Sequence, residues 1–163
     1  MTAETPFVPL AGRCRCEHVR FQLETAPMIT HRCHCRLWQR ACLSAFGTIA
    51  MIETDRLTSV QGNIRFFQGA RNHKEVQCPE CGCTLWIHRA DLGDAVALVS
   101  VGMLDEPECL PPEAHYFIRS KHPWLTLPLG IPAFQALGDA GKSGFRERTM
   151  GVLASSGAGP AAP

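Results

Sequence analysis

Cys78-Pro79-Glu80-Cys81-Gly82-Cys83 sets the architecture expected of this chain. Two thiols with two residues between them, bent by Pro79 and followed by Gly82, make half of a tetrahedral metal site. Each sulfur must come within about 2.3 Å of one ion, and a tight turn brings both to the same side. Glu75-Val76-Gln77 leads into the turn and Thr84-Leu85-Trp86-Ile87 leads out, so the segment reads as a zinc-ribbon-like hairpin. It requires a second pair of ligands from elsewhere.

The composition narrows where to look. A chain of 163 residues suits one domain with a core of its own. A net charge of +1 with mixed signs leaves no electrostatic footprint for nucleic acid or an anionic membrane. No apolar run approaches the roughly 20 residues of a membrane span. The opening Met1-Thr2-Ala3-Glu4-Thr5-Pro6 lacks a basic region followed by an apolar core, so the expected setting is reducing and cytoplasmic. Nine cysteines at 14, 16, 33, 35, 42, 78, 81, 83 and 109 then read as metal ligands before disulfides. Oligomeric state has no signal in the sequence.

Outward from the hairpin, short strand patterns dominate. Val19, Phe21 and Leu23 alternate with polar residues, a period of two. Met28-Ile29-Thr30-His31 forms a second strand that runs directly into Cys33-His34-Cys35. Arg36 to Leu43 lacks Gly and Pro and suits two turns of helix. A buried strand follows over Ser44 to Ile52, then shorter ones over Leu57 to Val60 and Ile64 to Phe67. Ala95 to Val101 is the most apolar run and reads as a core strand, and His115 to Arg119 as a last short strand. The expected fold is mainly β, with small antiparallel sheets and one short helix after the Cys-His-Cys turn. An N-terminal arm over 1–8, a domain over 9–137 and a flexible Gly/Ala/Pro-rich tail over 138–163 complete the expected organisation.

Cys-x-Cys neighbours on a strand would face opposite ways, so such pairs belong in turns. Cys14-x-Cys16 and Cys78-x-x-Cys81 are the natural halves of one closed four-thiolate site, the pattern of a structural zinc. Such a site clamps the first strand to the central hairpin, across about sixty residues of chain. Cys33 and Cys35 form a separate pair that needs at least one more ligand. The place for it is position 38, where the sequence has Trp38, whose indole nitrogen only donates. A redox dithiol at Cys78-x-x-Cys81 is the competing reading of the knuckle.

Taken in order, these motifs resemble the glutathione-dependent formaldehyde-activating enzyme family and the similar centromere protein V domain. The resemblance is carried by Gly12-Arg13-Cys14-Arg15-Cys16 with Val19-Arg20-Phe21, by Cys33-His34-Cys35, by Arg40 and Ser44-Ala45-Phe46, and by Cys78-Pro79-Glu80-Cys81-Gly82. Val101 to Asp105, the segment with His115, and Trp124 extend it to about residues 10 to 135. It implies sheets coiled around a structural zinc held by Cys14, Cys16, Cys78 and Cys81. It also implies a carbon–sulfur lyase of glutathione–formaldehyde adducts, with Cys33 and Cys35 as two of three catalytic ligands.

Three positions depart from that pattern. The third catalytic cysteine falls on Trp38, and two glycines are replaced by Glu17 and Leu43. Cys42, Cys83, His34 and His31 are candidate substitutes for the missing ligand. Arg36 and Arg40 are candidates to grip the carboxylates of a glutathione-like thiol. A non-catalytic zinc-stabilised binding domain of the same fold is the alternative.

Overall fold

The computed structural model describes residues 6–136; the N-terminal arm falls only partly within this range and the expected tail lies outside it. Ten strands and one α-helix follow in order: β1 (Leu10–Arg13), β2 (Arg20–Leu23), β3 (Ile29–Cys33), α1 (Arg36–Cys42), β4 (Gly47–Glu53), β5 (Leu57–Gln61), β6 (Arg65–Gln68), β7 (Lys74–Gln77), β8 (Thr84–His88), β9 (Val96–Ser100) and β10 (Ala114–Tyr116). They build a three-stranded sheet, β1-β2-β5, and a seven-stranded sheet, β10-β3-β4-β9-β8-β7-β6. The mainly β expectation holds. One pairing breaks the antiparallel pattern: β10 runs parallel to β3. A parallel partner needs a long crossover, and the Pro-rich stretch after β9 supplies it.

The centre of the large sheet is buried on both faces, which is why β4 and β9 are apolar at nearly every position, whereas the edge strand β6 is exposed throughout. Alternation sorts their side chains into two cores. Ala50, Ile52, Ala97 and Val99 join Phe21, Leu23 and Leu85 beneath the small sheet. Ile49, Met51, Val96 and Leu98 join Met28, Ile29 and Tyr116 on the other face. The two sheets meet where Phe21 packs edge-on against Trp86, with ring centroids 5.6 Å apart.

Several boundaries differ from the sequence expectation for physical reasons. β1 has no alternating pattern of its own and exists because its backbone pairs with β2 from Leu10 opposite Leu23 to Arg13 opposite Arg20. The fourth strand begins at Gly47 because Leu43 to Phe46 form the turn out of α1. The last strand stops at Tyr116, since Phe117 turns left-handed at φ 58°.

The two positions where the resemblance calls for glycine now have a backbone explanation. Glu17 sits at φ 64° and Leu43 at φ 50°. A side chain in this left-handed region costs about 1–2 kcal/mol that glycine avoids. Glu17 is held by ion pairs to Arg13 at 3.1 Å and Arg20 at 3.2 Å. Leu43, the C-cap of α1, has no such compensation and is 92% exposed. Leu43→Gly is therefore expected to stabilise the fold by about 1 kcal/mol. A higher urea midpoint at unchanged slope is the expected reading, and a lower one would refute the strain at Leu43.

Candidate metal centre and thiol pair

The first site begins where β1 ends. After Arg13 the chain turns back on itself through Cys14-Arg15-Cys16, closed by Glu17 N–H to Cys14 O and Cys14 N–H to Val19 O, both 3.0 Å. On the other side, a register shift between Val76 and Gln77 feeds the strand into the cysteine turn. There Gly82 N–H donates to Cys78 O at 2.9 Å and Cys78 N–H to Cys83 O at 3.1 Å. Gly82 lies at φ 69°, which a glycine adopts without strain.

These turns bring four sulfurs together. Those of Cys14, Cys16, Cys78 and Cys81 all lie within 4.8 Å of one another. The Cys14–Cys16 separation is 3.5 Å and Cys16–Cys78 is 3.7 Å. Metal–sulfur bonds of about 2.3 Å in a tetrahedron require sulfurs about 3.8 Å apart. The donor set thus fits a metal ion in both number and spacing. Val19 N–H also donates to the Cys14 sulfur at 3.2 Å, an interaction that favours the thiolate. Four protein ligands leave no open position, so the group is suited to holding the fold and not to binding substrate.

The second site lies at the end of β3. Cys33 pairs with Gly47 of β4 and with Tyr116 of β10, so three strands fix its backbone. Cys35 is the N-cap of α1, and its sulfur accepts from Trp38 N–H at 3.5 Å. The Cys33 thiol donates to the Cys35 sulfur across 3.4 Å. That bond, ahead of burial, holds Cys33 protonated. It is likewise the first cause that lowers Cys35 to about 6; burial opposes it, and the Trp38 and Leu37 amides assist. The pair therefore carries one thiolate near neutrality, poised at the end of a short helix.

A third donor does not join it. Among the described residues, the four-sulfur group is the one set of three or more Cys, His, Asp or Glu donors with metal-like convergence. Trp38 and Cys42 both lie over Gly47: a side chain begun there would meet the indole at 3.0 Å and the Cys42 sulfur at 3.2 Å. Cys83 is placed at the other centre, 3.2 Å from Cys81. His31 packs edge-on against Tyr116 at 5.0 Å, and burial, then the charge of Arg89, lowers it to about 3.

His34 is engaged elsewhere. Its Nε2 meets His115 Nδ1 at 3.0 Å, both rings fully buried. The parallel pairing of β10 with β3 makes this contact, and His34 N–H donates to Tyr116 O at 2.9 Å. Burial first, then His115 and Arg32, lowers His34 to about 4, so the pair is neutral with one ring donating and the other accepting. Nothing in the linear sequence signals this partnership across 81 residues. Buried Gln39 closes the arrangement, donating to His34 O at 2.8 Å and Ser120 O at 3.1 Å.

On another face of α1 an open cleft of about 640 Å³ is lined by Arg36, Gln39, Arg40, Ser44, His122 and Trp124. Arg36 and Arg40 are one helical turn apart, and no carboxylate among the described residues forms an ion pair with either. Trp124 is 70% exposed and stacks on His122 at 5.2 Å. The cleft is a cationic, aromatic surface on the helix that Cys35 caps, chemically suited to a small anion. Among the described residues, no helix is long and apolar enough to cross a membrane.

Comparison with protein families matches residues 9–120 to the glutathione-dependent formaldehyde-activating enzyme model, and the chain belongs to this family. A crystal structure of a Rhodobacter sphaeroides protein, a structural-genomics target, is 21% identical; the match covers 76% of this chain and 98% of that one at a TM-score of 0.47. Comparison with curated proteins finds no match.

Two outcomes are expected. Cys78→Ser loses the metal and about 4 kcal/mol or more of stability, because binding energy here is folding energy, whereas Cys35→Ser changes stability by less than about 1 kcal/mol. Metal analysis with thermal denaturation checks this, and equal losses in both variants would refute the division of labour. With one equivalent of metal bound, iodoacetamide labelling of Cys35 rises as pH climbs through about 6, since the lowered value leaves the thiolate populated above it. Cys33→Ala moves that inflection up towards an ordinary thiol; an unmoved inflection, read by peptide mass spectrometry, would rule out the Cys33 bond as its cause.

Proposed function

We propose that this member of the formaldehyde-activating family is a zinc protein whose Cys33–Cys35 pair acts as a carbon–sulfur lyase centre for a small-thiol adduct of formaldehyde, such as S-hydroxymethylglutathione. The observation that carries this reading is the converging thiol and thiolate at the start of α1, with an unpaired cationic cleft on the same helix. Zinc is the metal best suited to the four-sulfur group, since closed tetrahedral thiolate sites are its structural pattern.

The reaction needs little from the protein. As the carbon–sulfur bond of the adduct breaks, its electron pair stays on sulfur and the hydroxyl proton moves to that sulfur. Free thiol and formaldehyde result, and the reverse step joins them. Arg36 and Arg40 would hold the carboxylates of the thiol, and Gln39 fixes Arg36 through a 2.6 Å bond from the guanidinium. The Cys33 and Cys35 sulfurs would bind at the reacting end. A metal bound there supplies Lewis acidity and favours the substrate thiolate, but two sulfurs are an incomplete set, a degenerate form of a three-cysteine site.

That incompleteness supports a second reading, a non-catalytic zinc-stabilised binding domain of the same fold. Trp38 stands where the third ligand belongs, and its indole packs on Gly47.

Turnover separates the two. Interconversion of glutathione plus formaldehyde and their adduct by the zinc-loaded protein, abolished in Cys35→Ser, is the expected result. Turnover no faster than the uncatalysed mixture would leave the binding domain. Binding of S-methylglutathione, which has no free thiol, reads the cleft alone; Arg40→Ala should weaken it about tenfold through loss of one charge-assisted contact.

A further inference from the structure

The chain contains three Cys-x-Cys turns, and all three converge. Their sulfurs lie 3.5 Å apart at Cys14–Cys16, 3.4 Å at Cys33–Cys35 and 3.2 Å at Cys81–Cys83. The first turn gives both of its thiols to the four-sulfur group. The third is divided: Cys81 belongs to the group and Cys83 does not. Yet the Cys81–Cys83 contact is shorter than the Cys14–Cys16 and Cys16–Cys78 separations within the group.

Cys83 also faces the opposite half of the centre. Its sulfur is within electrostatic reach of the backbone amide of Arg15, the middle residue of the Cys14-Arg15-Cys16 turn. It therefore sits at the seam between the two segments that supply the ligands. Cys14 and Cys78 are fully buried, Cys16 is exposed, and Cys81 and Cys83 are both half-buried. Between the last two is Gly82, at φ 69° with open space around it, so no packed side chain opposes a small adjustment there.

We propose that Cys83 is an exchange ligand of this centre: Cys14, Cys16 and Cys78 keep the metal, and its fourth position passes between Cys81 and Cys83. A closed tetrahedral thiolate site has no fifth position, so the two alternate and never bind together. In the exchange, the metal–sulfur bond to Cys83 forms as the one to Cys81 breaks. The Cys83 thiol gives up its proton on binding and the departing Cys81 thiolate takes it up, along their 3.2 Å contact. No electron is transferred and the charge of the centre is unchanged. The device makes the knuckle tolerant of losing Cys81, to oxidation or alkylation, in a way it is not tolerant of losing Cys78.

Cobalt(II) substitution in the full chain tests this, because the intensity of the thiolate-to-cobalt charge-transfer band reports the number of bound sulfurs. Cys83→Ser should match the wild type, and Cys81→Ser should keep one cobalt with four-sulfur intensity and zinc affinity within about tenfold of wild type. Cys81→Ser/Cys83→Ser should fall to three-sulfur intensity and lose about a hundredfold or more in zinc affinity. A three-sulfur spectrum in Cys81→Ser alone overturns the proposal, as does failure of that variant to fold around the metal. Four-sulfur intensity persisting in the double variant overturns it too, since another thiol would then be the substitute.

Discussion

Four sulfurs drawn within 4.8 Å of one another are the constraint on which the small sheet depends. β1 and β2 are four residues each, and such a ribbon gains little stability by itself. It is seated by two attachments: Phe21 and Leu23 in the core beneath it, and the Cys14–Cys16 turn against the β7–β8 hairpin. The second joins segments 62 residues apart, so the ion, once bound, offsets a loop-closure cost that local pairing does not cover. The same geometry separates stability from chemistry. A centre with all four positions filled by protein has no site left for substrate.

The Cys33–Cys35 pair, where β3 runs into α1, is held differently. Cys33 is held in the middle of three strands, and Cys35 is held by the first turn of α1. Behind them, His34 and His115 share one hydrogen bond as a neutral pair, and Gln39 ties the helix to that pair and to Ser120. The outer nitrogens, His34 Nδ1 and His115 Nε2, are buried without a hydrogen-bond partner among the described residues, so the bonds that are made must be specific enough to fix one arrangement. These bonds hold the helix so that one stripe carries Trp38 and Cys42 towards Gly47 while another presents Arg36 and Arg40 to the cleft. The Cys35 cap and the two arginines thus belong to one short helix.

The departures from the family pattern have unequal physical weight. Glu17 and Leu43 replace glycines at left-handed positions, where the consequence is backbone strain and the chain path is kept. Trp38 is of another kind. Its indole lies over Gly47, a packing contact inside the fold and not a backbone departure.

Much of this was legible in the linear chain because the signals are local. The spacing Cys78-x-x-Cys81, the pair Cys14-x-Cys16, the continuous apolar runs of β4 and β9, and the helix-forming stretch from Arg36 each depend on residues a few positions apart. Those determined a mainly β fold with a four-thiolate centre and a separate two-thiol turn. Tertiary structure alone decided the rest. The parallel docking of β10 created the His34–His115 pair, backbone pairing created β1, and the folding of the hairpin sent Cys83 to the four-sulfur centre and away from Cys33 and Cys35. Each of these depends on which distant backbone lies alongside, and that is settled by long-range pairing and burial, for which no local spacing is a record.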